Sequence, residues 1–268
     1  MERLRRNFKS SRSDTLTPHS TLHTSHSTLL KKEVHYMNGY YAIAIDGPSG
    51  AGKSTMARRL AASFGFLYVD TGAIYRTLGL ACHEAGIDRK NEDTVMELLP
   101  TLDIAIRYNE QGEQCMFLNG RDVSREIRLP EISLCASDVS SHQRVRSFLL
   151  DMQRKFAREN NVIMDGRDIG TVVLPDAELK IFLTASPEAR ARRRLNELKE
   201  KGSDQSFEEV LADMIRRDEQ DSTRAAAPLK KAEDAVELDS SDLNFEETFG
   251  RLCEIVITKL AIEPEETL

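Results

Sequence analysis

The clearest chemistry in the sequence lies in one short run, Gly47, Pro48, Ser49, Gly50, Ala51, Gly52, Lys53, Ser54 and Thr55. Its first eight residues match G-x-x-x-x-G-K-[ST] at every fixed position, after an apolar run (AIAID) and before a helix-prone one (TMARRLAASF). Glycines at these places let successive backbone N–H groups turn inward around an anion, and the helix that follows adds positive potential at its start. Lys53 can then reach the outer phosphates of a nucleoside triphosphate, and Ser54 can ligate Mg²⁺.

A phosphate cradle needs neighbours. In a doubly wound sheet they come from beyond the carboxyl ends of the strands. FLYVD should deliver Asp70, Thr71 and Gly72, and VIMD should deliver Asp165, Gly166, Arg167 and Asp168. Asp165 suits a carboxylate that helps Ser54 hold Mg²⁺, or else an Asx turn that closes the strand. Arg167 and Asp168 read either as site residues or as a surface ion pair.

Phosphoryl transfer also calls for forked cationic donors, and Arg76, Arg146, Arg167, Arg190, Arg193, Arg194, Arg217 and Arg224 are the candidates. Arg190, Arg193 and Arg194 stand at i, i+3 and i+4 in RARRRLNEL. That spacing predicts a shared helix side converging on one target, a lid over the triphosphate; a solvated basic face is the alternative.

The elements that must hold these residues follow from the pattern after Tyr40. Short apolar runs (YYAIAID, FLYVD, VIMD, LKIFL, AVELD) alternate with helix-period segments, which predicts an α/β three-layer sandwich on a five-stranded parallel sheet. One region breaks the alternation. DIAIRY (103–108) and QCMFL (114–118), separated by NEQGE and followed by Asn119-Gly120, predict a small antiparallel sheet inserted between the second and third core strands. A helix from Pro187 to about Lys201 has Ser186 as N-cap and Gly202 as its stop, and a last amphipathic helix spans Phe245 to Leu260. Residues 263–268 read as a frayed tail.

Residues 1–36 are rich in Ser, Thr and His without sustained periodicity, and are expected to be disordered. They are open to three readings: sequence upstream of a start at Met37, a dispensable tail, or a targeting segment.

Composition excludes several functions. Residues 1–36 hold seven Lys/Arg and three Asp/Glu of the chain's 37 and 44, so the remainder has 30 basic and 41 acidic residues and is a poor partner for nucleic acid polymers. No apolar run nears the ~18 residues of a membrane span. Cys82, Cys115, Cys135 and Cys253 form no CxxC pair, and only His83 and His142 lie beyond the N-terminal segment, so zinc, redox-dithiol and histidine chemistry find little support.

Taken together, IDGPSGAGKST, DTGAIYR (70–76), DVSREIR (122–128), RVR (144–146), DGRDIGTVVLPDAELKIFL (165–183) and RRDEQDSTRAAAPL (216–229) resemble the bacterial cytidylate kinase family. The likeness runs from about Tyr40 to Leu260. It implies a kinase domain over 37–262 with an enlarged monophosphate-binding insert at about 71–150 and a lid at about 186–203. It further implies transfer of the γ-phosphoryl group of ATP to CMP or dCMP with Mg²⁺, by a cytoplasmic monomer. By matching positions, Arg76, Arg167 and Arg217 would clamp the acceptor phosphate, Ser137, Arg146 and Asp168 would read the cytosine ring, and Asp221 and Arg224 would address the sugar. Lys53 and the lid arginines Arg190, Arg193 and Arg194 would act on the moving phosphoryl group. Thr71 stands where other members can carry serine, which keeps the hydroxyl. A kinase for another acceptor and a GTP-dependent switch are the rivals; the chain lacks the NKxD motif of the latter.

Overall fold

A computed structural model describes residues 39–200 and 202–265. The expectation for residues 1–36 lies outside them. In chain order the elements are β1 (Ala42–Asp46), α1 (Lys53–Phe64), β2 (Leu67–Asp70), α2 (Thr71–Glu84), α3 (Glu92–Leu98), β3 (Ile104–Tyr108), β4 (Gln114–Leu118) and β5 (Arg121–Asp122). They continue with α4 (Pro130–Ser140), α5 (Gln143–Glu159), β6 (Val162–Gly166), β7 (Leu179–Thr184), α6 (Pro187–Glu200), α7 (Phe207–Thr223), β8 (Val236–Asp239) and α8 (Phe245–Leu260).

The parallel sheet has the order β2-β6-β1-β7-β8. Its central strand β1 is buried throughout, and its alternating side chains serve two layers because successive residues of a strand point to opposite faces. Ile43 and Ile45 pack with Met56, Leu60 and Phe64 of α1 and Leu252, Val256 and Leu260 of α8. Ala42 and Ala44 pack on the other side with Val69, Met164 and Ala157 of α5. This is the three-layer sandwich expected. Register brings the strand ends level: Asp70 lies opposite Asp165 across β2 and β6, and Asp46 opposite Gly166 across β1 and β6.

The antiparallel sheet β3-β4-β5 forms where the sequence predicted it, closed by Asn119 at φ 50°. It packs with α2, α4 and α5 around a cluster of its own that includes Leu78, Met116, Ile132 and Leu149. It also docks on the edge of the main sheet. The Gln114 side chain accepts from Asp70 N (2.7 Å), and Tyr108 OH donates to Tyr68 O (2.8 Å).

Ser186 Oγ caps α6 by accepting from Ala189 N (3.2 Å), and Gly202, at φ +78°, ends the helix with its N–H on Lys199 O (3.0 Å). The segment 186–203 does not stand alone. Ala191, Leu195 and Leu198 of α6 pack on Phe207, Val210 and Met214 of α7, so the helix expected to be a lid is half of a hairpin. The tail also differs from expectation over its described part: Glu265 N–H donates to Ser63 O (2.8 Å), which holds it against the end of α1.

Candidate functional site

The triphosphate loop leaves β1 and enters α1 with little room for side chains. A Cβ on Gly47, at φ +150°, would fall 2.0 Å from Leu183 O of the neighbouring strand end. Gly52 caps α1 in the left-handed region at φ 85°, and the first turn of α1 holds no acidic residue. Its N–H groups and dipole are therefore free to face an anion. Lys53 is buried and its Nζ donates to Pro48 O at 2.8 Å. Burial, with the Arg167 charge alongside, pushes its ammonium down to about 7. A phosphate arriving here would replace one carbonyl with full negative charge. Thr55, on the first turn of α1, is exposed.

Behind the loop sits an acidic pair. Asp165, at the end of β6, accepts from Ser54 Oγ (2.7 Å) and from Tyr68 OH (2.8 Å), while its backbone carbonyl accepts from Thr71 Oγ1 (2.9 Å). Burial and the Asp70 charge push its carboxyl up, against the opposing pull of Lys53. A serine hydroxyl and a crowded carboxylate are hard oxygen donors with surplus negative charge, and they fit a magnesium-sized cation.

Across from the loop stands a cluster of arginines. Arg76 Nη2 pairs with Asp70 Oδ2 (2.6 Å), while its Nε is buried with no hydrogen-bond partner among the described residues. Arg167 Nε pairs with Asp221 Oδ2 (2.7 Å). Arg217 makes no hydrogen bond or ion pair with any described residue. Partial desolvation in the cleft, with Arg167, Arg76 and Arg194 adding like charge, holds its guanidinium below its ordinary value. Such a set has surplus donors and surplus charge, which an anion satisfies together.

Beside the cluster, Asp168 is buried and held by Arg146 Nη2, with Arg224 Nη2 3.5 Å from its other oxygen. The Arg146 guanidinium lies over the Tyr75 ring, 5.4 Å from the centroid. A cavity of about 250 Å³ opens next to them, lined by Ser137, Ser140, Asp221 and Arg224 among others. The Ser137 hydroxyl has no partner among the described residues. Ser137, Asp221 and Arg224 therefore line one cavity, while Arg146 and Asp168 stand paired at its flank.

The lid arginines do not converge. Arg190, only 2% exposed, forks onto Asp218 (2.5 and 3.1 Å) and donates to Ser49 O (2.9 Å), which ties α6 to α7 and to the triphosphate loop. Arg193 turns to Ser240 and Leu243 carbonyls, and Arg194 pairs with Glu197 at the surface (3.0 Å). The helical spacing is as expected, but positions i, i+3 and i+4 span an arc wide enough for three different neighbours. α7, the loop after β8, and solvent each take one.

Sequence reasoning passed over Asp46, Tyr68, Asp70 as the Arg76 partner, Tyr75 and Asp218. Asp70 and Asp46 each close an apolar strand, as Asp165 does, and that position was their signal.

The model of the family described as cytidylate kinase matches residues 43–259. A cytidylate kinase of Caldicellulosiruptor bescii is 49% identical over 213 residues, 80% of this chain and 94% of that one. One of Geobacter sulfurreducens is 50% identical over 214 residues, 80% and 91% of the two chains. One of Lactobacillus johnsonii is 44% identical over 229 residues, 85% and 98%. Solved structures overlay loosely: a shikimate kinase from Bacteroides thetaiotaomicron reaches a TM-score of 0.40 at 14% identity, covering 81% of this chain and 98% of that one.

Proposed function

The chain belongs to the cytidylate kinase family, and from that premise we propose that the arginine-lined cleft receives the phosphate of CMP or dCMP opposite ATP on the triphosphate loop. The enzyme is an ATP-dependent kinase that converts CMP or dCMP to CDP or dCDP, with ADP as the other product. The observation that carries the assignment of the cleft is Arg217, a guanidinium with no hydrogen bond or ion pair among the described residues, where the like charge of Arg167, Arg76 and Arg194 is opposed by Asp221.

In this reading the backbone of residues 47–55 wraps the donor phosphates, and Lys53 leaves Pro48 O for the outer ones. Arg76, Arg167 and Arg217 clamp the acceptor phosphate in line. The nucleophile is already a phosphate oxyanion, so no strong general base is needed, which suits a site without histidine. Arg194, the lid arginine nearest Arg217 in charge interaction, is free to swing from Glu197 to the transferring group; Arg190 holds the loop rather than the phosphate, and Arg193 anchors the lid to the core. Ser54 and Asp165 would hold Mg²⁺, which when bound supplies charge neutralisation on the donor phosphates.

Base choice follows from donor and acceptor chemistry. Cytosine offers an exocyclic amine to Asp168 and accepts at N3 and O2 from Ser137 and Arg146. Uracil would set a carbonyl against the carboxylate, and an unpaired buried polar group discriminates strongly. Asp221 and Arg224, on the cavity wall, address the sugar. A monomer is the working unit that the family resemblance implies; no helix among the described residues is long and apolar enough to cross a membrane. We place the enzyme in the cytoplasm, where its nucleotide substrates are found, and with no nucleic acid polymer as partner.

Steady-state rates with CMP, dCMP, UMP and AMP under saturating ATP and Mg²⁺ test the reading. CMP and dCMP should lead. Equal kcat/KM for AMP and CMP would remove the base-reading roles.

A further inference from the structure

Asp168, the residue assigned to the cytosine amine, stands at the head of a π-helical turn, Ile169–Val173. Single π turns concentrate at functional sites because they aim a side chain that a regular helix or strand end could not. This turn is suspended at both ends by side chains from elsewhere. At its start, Asp46 Oδ1 accepts from Ile169 N (2.8 Å) and Oδ2 from Gly170 N (2.7 Å). At its finish, Arg154 of α5 donates from Nε to Val173 O (2.9 Å) and from Nη2 to Val172 O (3.0 Å).

Asp46 is an expensive residue for a merely structural task. It is 4% exposed and has no ion-pair partner among the described residues. Burial pushes its carboxyl up to about 6 despite the two N–H groups that favour the ion; Asp168 adds to the rise and Lys53 opposes it. Among the described residues, its side chain hydrogen-bonds only to the two amides that directly follow Asp168. It is also the last residue of β1, one position before Gly47 of the triphosphate loop.

We propose that Asp46 is a positioning residue for base reading: by fixing the two amides after Asp168 it aims the Asp168 carboxylate at the acceptor base, from the same strand end that launches the donor loop. The donor loop and the specificity carboxylate thereby share one anchor. The inference rests on the assignment of Asp168 as base reader.

Asp46→Asn keeps size and removes one of the two acceptors. It should raise the CMP KM about tenfold or more and lower the CMP-over-UMP preference by a similar factor, with the ATP KM within about twofold of wild type. An intact CMP preference overturns the proposal, and so does an equal rise of both KM values with the preference unchanged, since that is what a support for the donor loop alone would give. Should Asp46→Asn fail to fold, Arg154→Met, which frees the far end of the turn, decides the matter: a loss of CMP preference in the same direction supports the suspended turn, and an unchanged preference overturns it. Asp168→Ala separates this from failure of the underlying assignment. If CMP preference survives Asp168→Ala, the base-reading role itself falls; if it is lost there but kept in Asp46→Asn, only the role of Asp46 falls.

Discussion

The two halves of the cleft are built on opposite plans. In the proposed reading the donor half is a contiguous run of residues that binds through its backbone, and its side chains are nearly self-satisfied: Lys53 sits on Pro48 O, Ser54 on Asp165, and Arg190 on Ser49 O. The proposed acceptor half is assembled from side chains of α2, α4, α5, the turn after β6, and α7, and is left unsatisfied among the described residues, where Arg76 Nε and the Arg217 guanidinium have no hydrogen-bond partner. A triphosphate tail is common to many substrates, so a stiff backbone cradle serves it. Discrimination has to come from the other half, where excess positive charge stays costly until the right anion brings the arginines together.

That contrast can be broken first at Lys53. If the donor half binds mainly through backbone, Lys53→Met should leave ATP affinity within about tenfold while kcat falls ~10³-fold, because the lost charge acts on the group in flight. The fold should not suffer. Methionine removes a buried ammonium held by one carbonyl, so the thermal midpoint without nucleotide should match or exceed that of wild type. A large loss of ATP affinity with kcat retained would mean that the side chain, and not the loop, does the holding.

Arg217 probes the other half. Arg217→Gln should cost about 10²-fold in kcat/KM for CMP, mostly through KM, with the ATP KM little changed. It should also stabilise the ligand-free protein slightly, since burial of the guanidinium and repulsion from Arg167 and Arg76 outweigh the attraction of Asp221 that is lost with it. Activity and thermal midpoint moving in opposite directions is the signature of a site held open for its anion. A variant that lost both together would make Arg217 an ordinary structural residue.

The same contrast decides how much could be read from the sequence. The strand, loop and helix of the proposed donor site were legible because local spacing carries them: G-x-x-x-x-G-K-[ST] fixes backbone shape in eight neighbouring residues, and the flanking strand and helix followed from periodicity. The sheet and its antiparallel insert were legible for the same reason, since burial on two faces leaves apolar runs. The acceptor half became nameable only through a resemblance spanning many segments. Where local spacing was pressed to give three-dimensional convergence it failed: Arg190, Arg193 and Arg194 share a helix side yet bind Asp218, Ser240 and Glu197, because tertiary neighbours, and not the helix, choose the target of a long side chain. Asp46 and Asp218 escaped attention because their partners are backbone amides or an arginine far along the chain, and no short pattern marks such a pairing.

The smallest effect expected is on stability, at the seam of the acceptor cluster. Burial alone would raise the Asp221 carboxyl, but Arg167, seconded by Arg217 and Arg224, outweighs it and holds the group below the usual carboxylate range. A carboxyl depressed on folding adds stability that is fully present above its unfolded value, near 3.8, and is lost as pH falls through the lower folded value. Asp221→Asn should therefore cost about 2 kcal/mol at pH 7, from the broken bond to Arg167 and the unbalanced cations, and the gap between variant and wild type should close as pH drops below about 4. Thermal midpoints of both proteins from pH 7 to pH 3 measure it, with other acid-titrating groups cancelling between the two. Parallel curves down to pH 3 would mean that the arginines do not depress Asp221. The acceptor half would then carry its positive charge with less internal compensation than the 2.7 Å pair with Arg167 implies, and the affinity of the cleft for a phosphate dianion should be correspondingly greater.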